Sequence, residues 1–477
     1  MDRPRRHTLP LLQLAGLSDE TSIYAFFVDG EDRHDGYFLS PKKFVFPTSS
    51  DAPPAEDHLL PLFPLVLNAD GSPWPEATLY LLDLATEADQ YEPQTLGYKA
   101  DDLSNYRQFL DDSEVDWLDF PKLKNKRPTY RYKAYLKRLV DLERLPRSIA
   151  NRRLGSVVGL YSRLIQDGHV QLAHEPWKMR PGVRVFFASS TGPLQKQVMA
   201  TDLMIATTER SNPFDDCIQD EGKLRPLPRS EQDVLRETLK KIGNTEMTLV
   251  HLLSLVSSAR IQTALTLRKK NFIAPPESVK GQEVRLLCKA SLGIDTKKGK
   301  VGVLHVPIQL YRIFHTYIHS ERYRSRANKA DGGDQAEQYV FLSHNGSPFY
   351  DAKRDLIKSL QTKQRRYKRT GQAVRQFIKE KVLPLMQKAL SNPDYHFQFH
   401  DLRATFGLRW VEAMEPLIQS GAITYSKALD DLSTLMWHSS TQVTEQYLKY
   451  KSRRNDVRKM NEAYQADLDD LSLFFDP

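Results

Sequence analysis

His400-Asp401-Leu402-Arg403-Ala404-Thr405-Phe406, followed by Leu435-Met436-Trp437-His438-Ser439-Ser440 and then Tyr447, is the stretch on which the reading of this chain turns. It places an arginine, two histidines and a tyrosine in a fixed order near the C-terminal end. Those are the groups that transesterification at phosphorus requires. A phenol can form a covalent link to phosphorus, a planar guanidinium can hold non-bridging oxygens, and imidazoles can move protons or donate to charge as it develops. No single element is specific: His-x-x-Arg also occurs at His319 and Arg322. The information lies in the order and spacing.

Outward from that stretch, the chain is strongly polarised in charge. The net formal charge is +8 over 477 residues. Residues 1–120 hold 23 acidic and 8 basic side chains, a net of −15, so the remaining 357 residues carry +23. A basic body of that size predicts a polyanionic partner, with double-stranded DNA the foremost candidate. The length predicts several domains. No apolar run is long enough to span a bilayer, and the two cysteines, Cys217 and Cys288, form no metal-binding pattern. Together these readings predict a cytoplasmic, nucleoid-associated protein with no membrane partner. No cofactor and no metal are expected, since no carboxylate cluster suited to Mg²⁺ is apparent.

Five segments emerge from pattern and composition. Residues 1–95 mix short apolar runs with proline-rich turns and carry a net charge of −10, from 16 acids and 6 bases. They read as an extra α+β domain that contacts protein or serves as a structural cap, in preference to binding DNA. Residues 96–176 show helical spacing of apolar positions, with Arg127, Arg131, Lys137, Arg138, Arg147, Arg152 and Arg153 as candidate phosphate contacts. Residues 177–225 read as a connector with one strand near Val183–Phe187. Residues 226–461 resume a helical pattern, interrupted by two strands, Val284–Cys288 and Val301–Val306, read as a hairpin with its turn at Asp295–Lys300. Residues 462–477 hold five acids and no base; Leu468, Leu471, Phe474 and Phe475 there form a candidate docking stripe, in cis or on a neighbouring copy. Within 351–382, 11 bases against 3 acids mark Arg365, Arg366, Lys368 and Arg369 as further candidate DNA contacts.

The second half resembles the catalytic domain of tyrosine recombinases, the phage-integrase and Xer class. Ser258-Ala259-Arg260-Ile261-Gln262-Thr263-Ala264-Leu265 is similar to the first arginine box of that family, with Thr263 where the family usually carries Glu. The hairpin resembles the family's lysine-bearing hairpin; Lys297 matches best, and Lys298 and Lys300 compete. Tyr339–Ser343 with Gly346 and Pro348 resembles the stretch before the second arginine box, which His400–Phe406 matches. Trp437-His438-Ser439-Ser440 resembles the family's Gly-His-Ser-Ser, with Trp437 in the glycine position. Residues 96–176 resemble the helical core-binding domain that precedes the catalytic domain.

The resemblance implies a multidomain, mainly α architecture: a helical core-binding domain and an α+β catalytic domain with a small β-hairpin. It implies a site-specific recombinase or integrase that acts through a 3′-phosphotyrosyl intermediate, serves a bacterial mobile element, and assembles as a tetramer on inverted-repeat DNA sites, with residues 1–95 placed to contact a companion recombinase or accessory protein. Tyr447 would be the nucleophile, Arg260 and Arg403 the phosphate clamps, His400 the base or proton relay, His438 a donor to the phosphoryl group and Lys297 the acid for the leaving oxygen. A type IB topoisomerase-like nicking-closing enzyme and a non-catalytic DNA-binding accessory protein stand as alternatives.

Overall fold

A computed structural model describes residues 3–13, 59–88, 91–180, 184–189, 192–197, 200–206, 217–220, 222–363, 365, 367–438 and 440–472. The chain divides into two compact units, one of residues 1–180, 201–205 and 357–367, the other of 181–200, 206–356 and 368–477. Helices dominate both, with small antiparallel sheets, as the expected fold class requires.

In the first unit Arg5–Gln13 (β1) and Leu59–Leu67 (β2) pair antiparallel, from Arg5 opposite Leu67 to Gln13 opposite Leu59. Next come four helices, Pro75–Thr86 (α1), Pro93–Asp112 (α2), Pro128–Asp141 (α3) and Arg147–Gln166 (α4). Proline begins α1, α2 and α3, where a missing N–H costs nothing and the fixed φ suits the first turn. Helix α2 buries Leu96, Ala100, Leu103, Tyr106 and Leu110, spaced three and four apart, so one stripe faces the core. The Tyr106 hydroxyl lies 2.8 Å from that of Tyr161 on α4, which keeps both buried phenols hydrogen-bonded.

The expected domain break at 95/96 falls inside α2. Phe63, Val66, Tyr80 and Leu81 share one apolar core with Leu103, Leu136 and Leu160. The described part of residues 1–95 therefore does not form a separate domain, because β2 and α1 bury their apolar faces against α2, α3 and α4. The apolar runs at 24–28 and 44–46 lie outside the described residues.

The expected connector is also not a free linker. Met179–Arg180 (β3) pairs with Ala200–Thr201 (β6), and Arg184–Ser189 (β4) with Gly192–Gln197 (β5). Leu203 and Ile205 enter the first core. Ile218–Gln219 (β7) and Lys223–Leu224 (β8) form a minimal hairpin whose Ile218 and Leu224 enter a core of the second unit.

The second unit continues with Arg229–Ile242 (α5), Thr245–Ser257 (α6) and Ile261–Leu265 (α7). Glu283–Cys288 (β9) and Gly302–Pro307 (β10) then pair antiparallel, with Gly302 opposite Cys288 and Pro307 opposite Glu283. The expected hairpin is present, but its connection is longer than a turn at 295–300. It runs from Lys289 to Val301 through short 3-10 segments at Ala290–Leu292 and Lys297–Gly299. Ile308–Ile318 (α8) and Glu321–Ala327 (α9), then Lys353–Lys363 (α10), whose residues from 357 onward belong to the first unit, and Gln372–Phe377 (α11) and Leu383–Ala389 (α12) lead to three C-terminal helices. These are Asp401–Gln419 (α13), Tyr425–Met436 (α14) and Thr441–Ser472 (α15). Helix α15 crosses the expected boundary at 461/462 without a break; Phe474 and Phe475 lie outside the described residues.

Helix α13 sits on a seam. Leu402 belongs to the larger apolar core with Leu253, Leu265 and Val306, whereas Ala404, Leu408 and Val411 join a smaller one with Ile218, Leu224, Leu432, Met436 and Tyr447. Arg403 stands between Leu402 and Ala404, so its side chain enters the line where the two apolar clusters meet.

Candidate active site

Each candidate side chain is delivered by the end of an element. Arg260 precedes the first turn of α7 and is 9% exposed. His400 precedes α13, and its carbonyl accepts the Arg403 amide at 3.1 Å. His438 follows α14, and Tyr447 lies on the second turn of α15 with no exposed surface.

Arg403 is 1% exposed, and its guanidinium ties three segments together. One terminal nitrogen donates to the Ser258 carbonyl at 3.0 Å and the other to the Met436 carbonyl, while Nε donates to Asp220 Oδ2 at 3.3 Å. Both carbonyls come from helix ends, those of α6 and α14. Such carbonyls have no intrahelical partner and carry the negative end of the helix dipole, so a buried cation there is well matched.

The same Asp220 oxygen accepts from two further groups. His438 Nε2 lies 3.2 Å away and the Tyr447 hydroxyl 2.9 Å away. An ionised carboxylate only accepts, so His438 Nε2 carries its proton; in the neutral ring Nδ1 then accepts from the Thr444 hydroxyl at 2.9 Å. Three donors thus converge on one buried anionic oxygen. Asp220 is 1% exposed, and although burial alone would raise its pKa, the bond from His438 and the Arg403 charge hold it well below the ordinary carboxylate value. Burial lowers the His438 pKa against the opposing effect of Asp220. Burial and the Asp220 charge raise the Tyr447 pKa well above 10, while the Arg403 and Arg260 charges act to lower it. The charge of Arg260 also acts on His438. Arg260 therefore belongs to the same electrostatic cluster.

Trp437 explains how a bulky residue occupies the position of the family's glycine. It caps α14 in the left-handed conformation, φ 54° and ψ 40°, which glycine adopts without strain. Its indole lies over Gly302 of β10, where an added Cβ would come within 2.4 Å of the ring. The indole N–H donates to the Val303 carbonyl at 3.1 Å. Packing and that bond offset the backbone cost. Gly407 makes room for Tyr447 in the same way: a Cβ there would lie 2.4 Å from the Tyr447 ring.

Thr263, where the family usually carries Glu, is buried and donates to the Asp295 carbonyl at 2.9 Å. Thr266 accepts the Asp295 amide at 2.9 Å. Helix α7 is thereby fastened to the lysine-bearing segment. Within that segment Lys298 takes φ 55° and is exposed, and Lys297 is half-buried. Lys300 Nζ approaches the Trp437 carbonyl, just ahead of His438 in the chain, at 3.5 Å.

Several candidate phosphate contacts are engaged within the protein. Arg127 is buried, and its three nitrogens donate to the carbonyls of Pro121, Glu175 and Lys122 at 2.9, 2.7 and 3.0 Å. It serves as a structural cross-link, since each of its three nitrogens donates to a backbone carbonyl of its own unit and its surface is covered. Arg152 forks onto buried Asp102 at 3.1 and 2.8 Å, joining α4 to α2. Arg369 bonds Asp351 and Ser347, each at 3.2 Å. Arg131, Lys137 and Arg138 are exposed; Arg147, Arg153, Arg365 and Lys368 are half-buried, and Arg366 lies outside the described residues.

No family model matches the chain, and no curated protein matches it. Solved structures do. An integrase of the Tn1549 transposon in complex with circular intermediate DNA is 15% identical, covers 78% of this chain and 94% of its own, and superposes with a TM-score of 0.42. The XerH site-specific recombinase bound to palindromic difH is 14% identical, with 81% and 85% covered and a TM-score of 0.43. A lambda integrase dimer bound to a core site is 12% identical, with 78% and 94% covered and a TM-score of 0.42. Its structural neighbours are tyrosine recombinases and integrases. Among the described residues, no helix is long and apolar enough to cross a membrane.

Asp220 escaped the sequence reading. It falls in a segment read as connector, and its only local mark is a turn-forming Asp-Glu-Gly between two apolar residues, Ile218 and Leu224.

Proposed function

We propose that this chain cleaves and rejoins DNA through a covalent phosphotyrosyl link, as a site-specific recombinase or integrase. One observation carries the reading: the Nε of a buried guanidinium, an imidazole N–H and a tyrosine hydroxyl all meet at a single buried anionic oxygen. Donors fixed in advance around an anion are what a phosphodiester needs as its non-bridging oxygens gain charge, and losing one such donor costs about 10²–10³ in rate.

In the proposed reaction the Tyr447 oxygen attacks phosphorus, the bond from phosphorus to the 5′-oxygen breaks, and the new ester retains the bond energy for rejoining. The phenolic proton passes to His400 and a lysine ammonium protonates the departing 5′-oxygen, so charge and protons balance. Arg260 and Arg403 hold the non-bridging oxygens, and His438 donates through Nε2. The 3.5 Å approach of Lys300 Nζ to the Trp437 carbonyl supports Lys300 as that acid. The DNA partner, an assembly of several copies on inverted-repeat sites and service to a mobile element belong to the same proposal.

A nicked suicide duplex built from the repeats flanking the coding gene tests it. The wild-type chain should yield an adduct that survives denaturing electrophoresis, and Tyr447→Phe should bind the duplex yet yield none. An adduct from Tyr447→Phe moves the nucleophile elsewhere, with Tyr450 the next candidate.

A further inference from the structure

We propose that the hairpin of β7 and β8 is a built-in plug: the Asp220 carboxylate fills the seat of the scissile phosphate, and DNA must displace it before Tyr447 can react. The proposal rests on the recombinase reading and adds a means of control to it.

The geometry has three parts. First, Asp220 Oδ2 is 2.9 Å from the nucleophilic oxygen, 3.3 Å from Arg403 Nε and 3.2 Å from His438 Nε2. A reactive phosphorus must stand about 3–3.5 Å from the attacking oxygen, so the carboxylate and a phosphodiester compete for one place. Both are anions seeking the same donors, and they exclude each other by charge as well as by volume. Second, Tyr447 is wholly covered while Asp220 is in place. Third, the carboxylate works against the chemistry, since its charge, together with burial, raises the phenol's pKa. A proton acceptor for Tyr447 would not also need to occupy the Arg403 and His438 donors.

The hairpin's attachment suits removal. Its strands hold only two residue pairs, Ile218 with Leu224 and Gln219 with Lys223, and Asp220 sits at the turn with its amide 3.1 Å from the Gly222 carbonyl. On one side the Gln219 amide donates to the Gln446 side chain at 2.8 Å, an exposed contact to α15. Beyond the hairpin the chain is firmly fixed: the Arg225 amide donates to Asp401 and the Leu227 amide to Thr405 on α13, at 3.0 and 2.9 Å. Ile218 and Leu224 stay anchored in the small core beside α13, so displacement of Asp220 from the donors is confined to the tip and leaves α13 undisturbed.

The test uses the full chain as wild type, Asp220→Asn, Asp220→Ala and Gln446→Ala. On the suicide duplex both Asp220 variants should form the adduct at least tenfold faster than wild type. Gln446→Ala, which loosens the hairpin without touching the charged cluster, should give a smaller gain. Slower adduct formation in both Asp220 variants would overturn the plug and make Asp220 a positioning or proton-accepting group. If the Asp220 variants fail to fold, an unchanged rate in Gln446→Ala overturns it. A second arm needs no DNA. Inorganic phosphate, titrated by calorimetry, should bind Asp220→Asn at least tenfold more tightly than wild type, and the gain should vanish in Asp220→Asn/His438→Ala. Equal phosphate affinity in wild type and Asp220→Asn overturns the plug. Absence of any adduct, with the phosphate difference intact, instead refutes the cleavage reading while the plug stands.

Discussion

The packing of Trp437 on Gly302 can be dissected by exchanging bulk across it. Gly302→Ala alone should be destabilising, since its Cβ would lie 2.4, 2.5 and 2.9 Å from carbons of the indole. Overpacking of that kind costs about 1–3 kcal/mol. Trp437→Gly alone relieves a left-handed non-glycine residue, worth about 1–2 kcal/mol, but forfeits a half-buried indole. Complete removal of a buried Trp costs about 3–5 kcal/mol, so a net loss of about 2 is expected. The double variant has no indole for the new methyl to strike. It should lose no more than Trp437→Gly alone, and less by up to about 1 kcal/mol because alanine suits a strand better than glycine. The coupling between the two positions is then about 2 kcal/mol. Hydrogen exchange with mass spectrometric detection on Gly302–Pro307 and Tyr425–Met436 reads it locally, which matters in a chain of two units that need not unfold as one. Losses in the double variant that equal the sum of the singles, to within about 0.5 kcal/mol, would refute the packing account of Trp437.

Three further outcomes rest on named residues. His251 is fully buried, its Nδ1 2.6 Å from the Met247 carbonyl, and burial lowers its pKa from 6.5 to about 4. The folded protein then binds fewer protons than the unfolded one below pH 6.5, so stability should fall as pH drops from about 6.5 through 4. The gap of about 2.5 pH units at 1.36 kcal/mol each sets the loss at about 3 kcal/mol, and His251→Asn, which keeps a donor to Met247 but cannot titrate, should flatten the profile in urea unfolding. Loss of the leaving-group acid is rescued by a 5′-sulfur substrate, which needs no protonation; that rescue should appear with Lys300→Ala, and rescue confined to Lys297→Ala would restore the first assignment. Replacing Arg131, Arg138 and Lys368 by Gln should reduce the log–log salt slope of DNA affinity by about 0.9 for every phosphate no longer neutralised. Arg127→Gln should leave that slope alone and lower thermal stability instead, because three carbonyls lose their donor.

What the sequence disclosed, and what it hid, divides along physical lines. Helices with apolar positions three and four apart, such as α2 and α4, are written in local periodicity, and so is the β9–β10 hairpin. Arg403, His438 and Tyr447 could be picked out because they lie close in sequence and in a familiar order. Domain limits were harder. Charge sets residues 1–95 apart from the rest of the chain, but burial does not, and the shared core of Phe63, Leu103 and Leu160 ignores the change in composition. Burial also decides which arginines are available: Arg127 and Arg131 are indistinguishable as letters, yet one is enclosed by carbonyls and the other exposed.

Asp220 was hidden for a stronger reason. It meets Arg403 across 183 positions, His438 across 218 and Tyr447 across 227, from a hairpin too short to leave a periodic trace. Yet the chemistry of its partners demands such a group. A guanidinium, an imidazole N–H and a phenol gathered in an apolar seam, with Arg260 near enough for its charge to be felt, have donors in excess and little water to satisfy them. Left empty, that seat would set positive charge against itself and strand buried polar groups, each costing about 1–3 kcal/mol or more. A site prepared for a phosphate is therefore costly to keep vacant. One carboxylate on a short hairpin lowers that cost, and in the proposed reaction the same bonds that stabilise the uncomplexed fold would keep Tyr447 out of reaction until a phosphodiester takes them over.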